Sequence, residues 1–102
     1  MRIFHLALPE DWAAAQERGA YDVSTRGVTL EQEGFIHCSL PEQVEPVRAR
    51  YYADVDRLLL LAIDTELLTS PWRMDVVPGA GEFPHVYGPV NLTAVVSVEP
   101  VV

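Results

Sequence analysis

The chain has 102 residues, 49% of them hydrophobic, enough for one domain with a real core and too apolar for a disordered segment. Its net charge is −8, and so acidic a surface argues against long nucleic acid, which needs a basic footprint. All seven basic residues are arginine, so no Schiff base can form on a lysine of this chain.

The longest apolar run, Leu58 to Ile63, is far too short to cross a membrane. No long apolar leader follows Arg2, and a lone cysteine forms no internal disulfide; both fit a cytoplasmic protein.

Ile3 to Leu8 reads as a first strand. Phe4, Leu6 and Leu8 share the face expected to be core, so His5 is expected to point away from the most apolar layer. Pro9, Glu10 and Asp11 suit the start of a helix, Trp12, Ala15 and Gln16 follow at helical spacing, and Gly19 ends it. Tyr21 to Thr29 reads as loop or short strand, and Leu30 to Glu33 as one helical turn stopped by Gly34.

Phe35 to about Ser39 is the central strand, with Phe35, His37 and Ser39 on one face and Ile36 and Cys38 on the other. Ser39-Leu40-Pro41-Glu42 has capping-box spacing and predicts a helix to about Tyr52 with Ser39 as its N-cap. Leu58 to Ile63 reads as a strand buried on both faces, and Asp64 to Leu68 as a short helical turn. Trp72 to Val77 alternates like a strand with one wetter face, Arg73, Asp75 and Val77. Pro78 to Gly81 is a turn, and Pro84 places the strand Phe83–Tyr87 at a sheet edge or makes its start irregular. Asn91 to Ala94 is a turn before a last strand, Val95 to Val101. Two main helices among about six short strands give an α+β domain spanning 1–102.

The residue types limit the chemistry. Three scattered histidines with no HxH, HxxxH or CxxC spacing do not form a metal motif, so no metal is expected. Cys38 reads as a buried structural cysteine, because His37 diverges from it on a strand. No phosphate-cradling glycine loop is present. The histidines His5, His37 and His85 each sit on a short strand among apolar residues, with Ser39 and Tyr87 as polar companions. This pattern predicts that the three segments line one pocket. Glu33 and Glu82, each just before a histidine segment, are candidate acid/base residues.

These segments carry a resemblance. Phe4-His5-Leu6 followed by Trp12, Glu33-Gly34-Phe35-Ile36-His37-Cys38-Ser39, Tyr51-Tyr52, Leu59 to Asp64, and Phe83-Pro84-His85-Val86-Tyr87-Gly88-Pro89 resemble the mainly bacterial family called domain of unknown function 952. That family looks like a compact member of the ADP-ribosyltransferase-like superfamily, related to its RNA 2′-phosphotransferase branch. The resemblance implies split, antiparallel or mixed small sheets around a cleft, and NAD or an ADP-ribose-like ligand in that cleft. It implies that His5 holds a ribose and that the His37/Ser39 face flanks the nicotinamide. The distal motif of such enzymes usually supplies a glutamate; here it offers His85 and Tyr87, with Glu82 nearby, and Arg26 and Arg48 are candidate anion contacts.

The expectation is therefore a small-molecule transferase or hydrolase acting at a ribose. Its catalytic candidates are His37, His85 and Glu82, and its ligand contacts are His5, Ser39, Tyr87 and Arg26. A nucleotide sensor without turnover is one alternative. Another is an interaction domain whose short strands pair between two copies as a homodimer.

Overall fold

The computed structural model describes residues 1–101. Strand β1 (Arg2–Ala7) leads into helix α1 (Pro9–Arg18). Short strands β2 (Ala20–Tyr21), β3 (Val23–Thr25) and β4 (Val28–Thr29) precede the one-turn helix α2 (Leu30–Glu33) and strand β5 (Ile36–His37). A 3-10 turn, Pro41–Gln43, opens helix α3 (Val44–Tyr51). Strands β6 (Leu58–Asp64), β7 (Trp72–Val77), β8 (Gly81–Val86), β9 (Val90–Asn91) and β10 (Val95–Val101) complete the chain.

The expected α+β class with split antiparallel sheets is what forms. One three-stranded sheet has the order β1-β6-β10 and another the order β5-β8-β7, and every pairing is antiparallel. A single bridge joins them: Phe4 and Ser39 exchange both backbone hydrogen bonds, at 2.8 and 2.7 Å. Two small pairs, β2-β9 and β3-β4, lie outside these sheets. The larger cluster of buried residues includes Ile3, Ala7, Tyr21, Ile36, Leu61 and Val86; a smaller one gathers Leu6, Val47, Tyr52, Leu58 and Phe83. Among the described residues no helix is long and apolar enough to cross a membrane.

Most element starts and stops follow local chemistry. Gly19 ends α1 in the left-handed region (φ 92°), with its N–H on the Ala15 carbonyl. Thr29 and Gln32 cap α2 reciprocally, side chain to backbone N–H in both directions.

Four expectations fail. First, the Ile3/His5/Ala7 face of β1 is the more deeply buried one, so His5 points into the protein, because the β2–β3 segment covers that face with Tyr21. Second, the helix cap sits one residue later than predicted. Gln43 Oε1 accepts from the Leu40 N–H, and Ser39 has its backbone committed to Phe4 instead. Third, the central strand is shorter than Phe35–Ser39, since beyond Cys38, whose N–H still reaches the Pro84 carbonyl, the chain leaves β8 to bridge β1.

Fourth, Pro84 lies on the central strand of its sheet, not at an edge. In an antiparallel strand the N–H and C=O of one residue point to the same side. The Pro84 carbonyl accepts from the Cys38 N–H on the β5 side. The missing N–H therefore also faces β5, where pairing stops, and the β7 ladder loses nothing.

Candidate functional site

The β5-β8-β7 register decides which side chains meet. His37 lies directly opposite His85, and His85 opposite Arg73; Asp75 lies opposite Phe83. Because side chains alternate, Phe35, His37, Phe83, His85, Tyr87, Arg73 and Asp75 all share one face.

On that face a chain of hydrogen bonds runs inward from the surface. Arg73 Nε donates to Asp75 Oδ1 at 2.9 Å, and its guanidinium also donates to the Tyr87 hydroxyl at 3.1 Å while lying over the Tyr87 ring. Asp75 Oδ2 accepts from the Tyr87 hydroxyl and, at 2.8 Å, from His85 Nδ1. His85 Nε2 lies 3.1 Å from His37 Nδ1. Phe35 stacks flat on the His85 ring (centroids 3.9 Å apart, planes at 15°), and His85 is almost fully buried.

Hydrogen-bond logic couples the tautomers of the two rings. A carboxylate can only accept, so His85 Nδ1 carries a proton. In the neutral form of His85 the bare Nε2 takes its hydrogen bond from His37 Nδ1–H. In that form His37 Nε2 keeps its lone pair and, among the described residues, has no partner. Burial, followed by the neighbouring His85 and His5, pushes the His37 pKa down to about 4, so its ring is neutral near pH 7. The Tyr87 hydroxyl, then His85 and Arg73, hold the Asp75 carboxyl below the usual carboxylate range.

His37 stands where two cavities meet. One, of about 290 Å³, is lined by Thr25, Glu33, Phe35 and His85; the other, of about 240 Å³, by Arg50, Gly79 and Phe83 among others. Both share His37, Tyr51 and Val77. Volumes of this order suit a small-molecule ligand.

The other predicted residues lie elsewhere. His5 sits behind His37: its Nδ1 donates to the His37 carbonyl at 2.7 Å, so its Nε2 must accept from the Tyr21 hydroxyl at 2.9 Å. Both ring nitrogens are used within the protein, and burial pushes the His5 pKa down to about 4. Ser39 and Ser24 join His5 and the inner side of His37 around a space of about 10 Å³, room for one water and no ligand. Glu82 is exposed and points to the opposite face of β8 from His85. Arg26 holds Asp54 through two hydrogen bonds of 2.6 and 3.0 Å and reaches the Tyr51 carbonyl at 3.4 Å. It braces the end of α3 rather than facing the histidines. The histidine face thus gathers His37, His85 and Tyr87, with Glu33 at its rim, and leaves out His5, Ser39, Glu82 and Arg26.

Cys38 is buried, and burial pushes its thiol up, away from reactivity. Among the described residues no group of three or more histidine, cysteine or acidic side chains could hold a metal ion.

The comparisons agree with the motifs. Residues 6–98 match the family described as Protein of unknown function (DUF952). The chain belongs to this family. The chain is also similar in structure to protein CC0527 from Caulobacter crescentus. The crystal structure of that protein is 26% identical with a TM-score of 0.81, over 98% of this chain and 85% of that one. A double mutant of it gives 25%, 0.80, 98% and 85%. Its solution NMR structure gives 26% and 0.78, over 96% of this chain and 82% of that one. No curated protein matches.

Proposed function

We propose that this DUF952 domain acts on a small nucleotide-like molecule, NAD or an ADP-ribose-like compound, with His37 as the proton-transfer group. One observation carries the reading. The unpartnered Nε2 of His37 belongs to a ring lining both cavities, while its Nδ1 connects through His85 to the Asp75 carboxylate. A neutral imidazole with one anchored nitrogen and one free lone pair is equipped as a general base.

The chemistry balances within the chain. His37 Nε2 takes a proton from a ligand hydroxyl or a water, and the charge is shared toward His85, which faces the Asp75 carboxylate. Returning the proton to the leaving group completes hydrolysis or transfer. Phe35 and Tyr51 offer aromatic surfaces for a base or a nicotinamide. The resemblance of the histidine motifs to the ADP-ribosyltransferase-like superfamily supports this ligand class. The carboxylate that lines the cavity in this reading is Glu33, since Glu82 faces away and Asp75 is held by His85, Tyr87 and Arg73.

The test is a titration with NAD and ADP-ribose, followed by histidine ring NMR and a product assay. The expected result is sub-millimolar binding with shifts at His37 and His85, and turnover that is lost in His37→Gln. Absence of shifts at several millimolar ligand sinks the nucleotide reading. Binding without turnover makes the domain a sensor.

A further inference from the structure

We propose that the two halves of the cleft are opposite in charge, and that Arg50 forms an anion subsite which takes the phosphate of the ligand. This rests on the nucleotide reading for the ligand's identity, but the subsite is argued from the cleft alone. Arg50 lines the half next to the Gly79–Ala80 turn, and Glu33 lines the other half. His37, Tyr51 and Val77 belong to both.

Of the three arginines without an ion-pair partner among the described residues, Arg2, Arg50 and Arg57, Arg50 is the one that shares a cavity with His37. Arg18, Arg26, Arg48 and Arg73 each hold a carboxylate. Arg50 has no ion-pair partner among the described residues, and its guanidinium lies 5.4 Å from the centre of the Tyr51 ring. In a chain of net charge −8, a cation without a carboxylate on the same cavity as His37 is where the anionic part of a ligand held at His37 gains most. The guanidinium offers a planar fork of donors that matches phosphate oxygens, and stacking on Tyr51 limits its freedom. Glu33 at the far end repels phosphate and accepts from sugar hydroxyls. A ligand would thus lie across His37, its phosphate toward the β7–β8 turn and its sugar toward Thr25 and Glu33.

The probe is inorganic pyrophosphate, followed by amide and histidine NMR. Arg57 serves as a charge-matched control, since it lines a different groove. The parent should show shifts at Gly79, Ala80 and the His37 ring. Arg50→Gln should weaken this binding about tenfold, the worth of one charge-assisted fork, and Arg57→Gln should leave it unchanged. No shift in the cleft, or equal weakening by both variants, overturns the subsite. If pyrophosphate depends on Arg50 but ADP-ribose binds no more tightly than pyrophosphate, the subsite stands and the nucleotide reading falls.

Discussion

His37 and His85 face each other across neighbouring strands, and the nitrogen contact between their rings, 3.1 Å, makes Asp75 the group that sets the protonation of His37 from two residues away. Asp75→Asn tests this. Arg73, Tyr87 and His85 all donate to the carboxylate, but an asparagine offers only one oxygen. Its NH₂ avoids the guanidinium, which cannot accept, and so faces His85. His85 Nδ1 must then accept, its proton moves to Nε2, and His37 carries its proton on Nε2 as well. Long-range proton–nitrogen NMR should show His37 protonated at Nδ1 in the parent and at Nε2 in the variant. An unchanged His37 tautomer would show that Asp75 does not control it.

Acid should destabilise the fold earlier than carboxylates alone would. His5 and His37 bind protons near pH 4 in the native state, against 6.5 for the ordinary side chain. Between those values the unfolded chain is protonated at both positions and the native one is not. Stability is therefore full above about pH 6.5 and falls as pH drops toward 4, with a limiting slope of about 1.4 kcal/mol per pH unit for each histidine. Asp75, held below its ordinary 3.8, adds its own loss only at lower pH. Urea unfolding at a series of pH values measures the slope, and His37→Gln should remove about half of it. Stability that stays flat from pH 6.5 to 5 would contradict the burial of these rings.

How far the sequence showed this arrangement can be traced residue by residue. That His37 and His85 lie on one site was legible from strand-borne histidines in polar company, though the same pattern also enlisted His5, and their direct pairing comes from the β5–β8 register. Asp75 was also within reach. A hairpin turning at Pro78–Ala80 pairs 77 with 81, and so puts Asp75 on the face of His85, a register that neither strand's own alternation shows. His5 misled, because the alternation of β1 cannot show that a second layer, carrying Tyr21, covers the face that looked wetter. Arg26 misled because its partner, Asp54, lies 28 residues away, on a contact that no local pattern encodes.

Tyr21→Phe should separate the structural histidine from the working one. The tyrosine hydroxyl is the donor to His5 Nε2 in a fully enclosed spot, and phenylalanine leaves that nitrogen without its hydrogen bond. A cost of about 1–3 kcal/mol in urea unfolding is expected for one orphaned buried acceptor. Ligand shifts at His37 should stay as in the parent, since Tyr21 contacts the back of His5 and not the cleft. Lost ligand binding at unchanged stability would return His5 to the site.

Gly88, at the end of the histidine strand, has a role that belongs to packing. A Cβ there would lie 2.4 Å from Ser70 Oγ and 2.9 Å from Ser70 Cβ, and Ser70 is held in place by its bond to the Pro89 carbonyl at 2.7 Å. Gly88→Ala should therefore cost about 1–3 kcal/mol by overpacking, in addition to strain at φ 155°. Ser70→Gly removes both clashing atoms and forgoes one hydrogen bond, worth about 1 kcal/mol. In that background the cost of Gly88→Ala should shrink by about 1 kcal/mol or more, a coupling that a double-mutant cycle of urea midpoints reads directly. If the alanine costs the same with and without Ser70, the glycine is required by its backbone angle, and the close approach of the two loops is incidental.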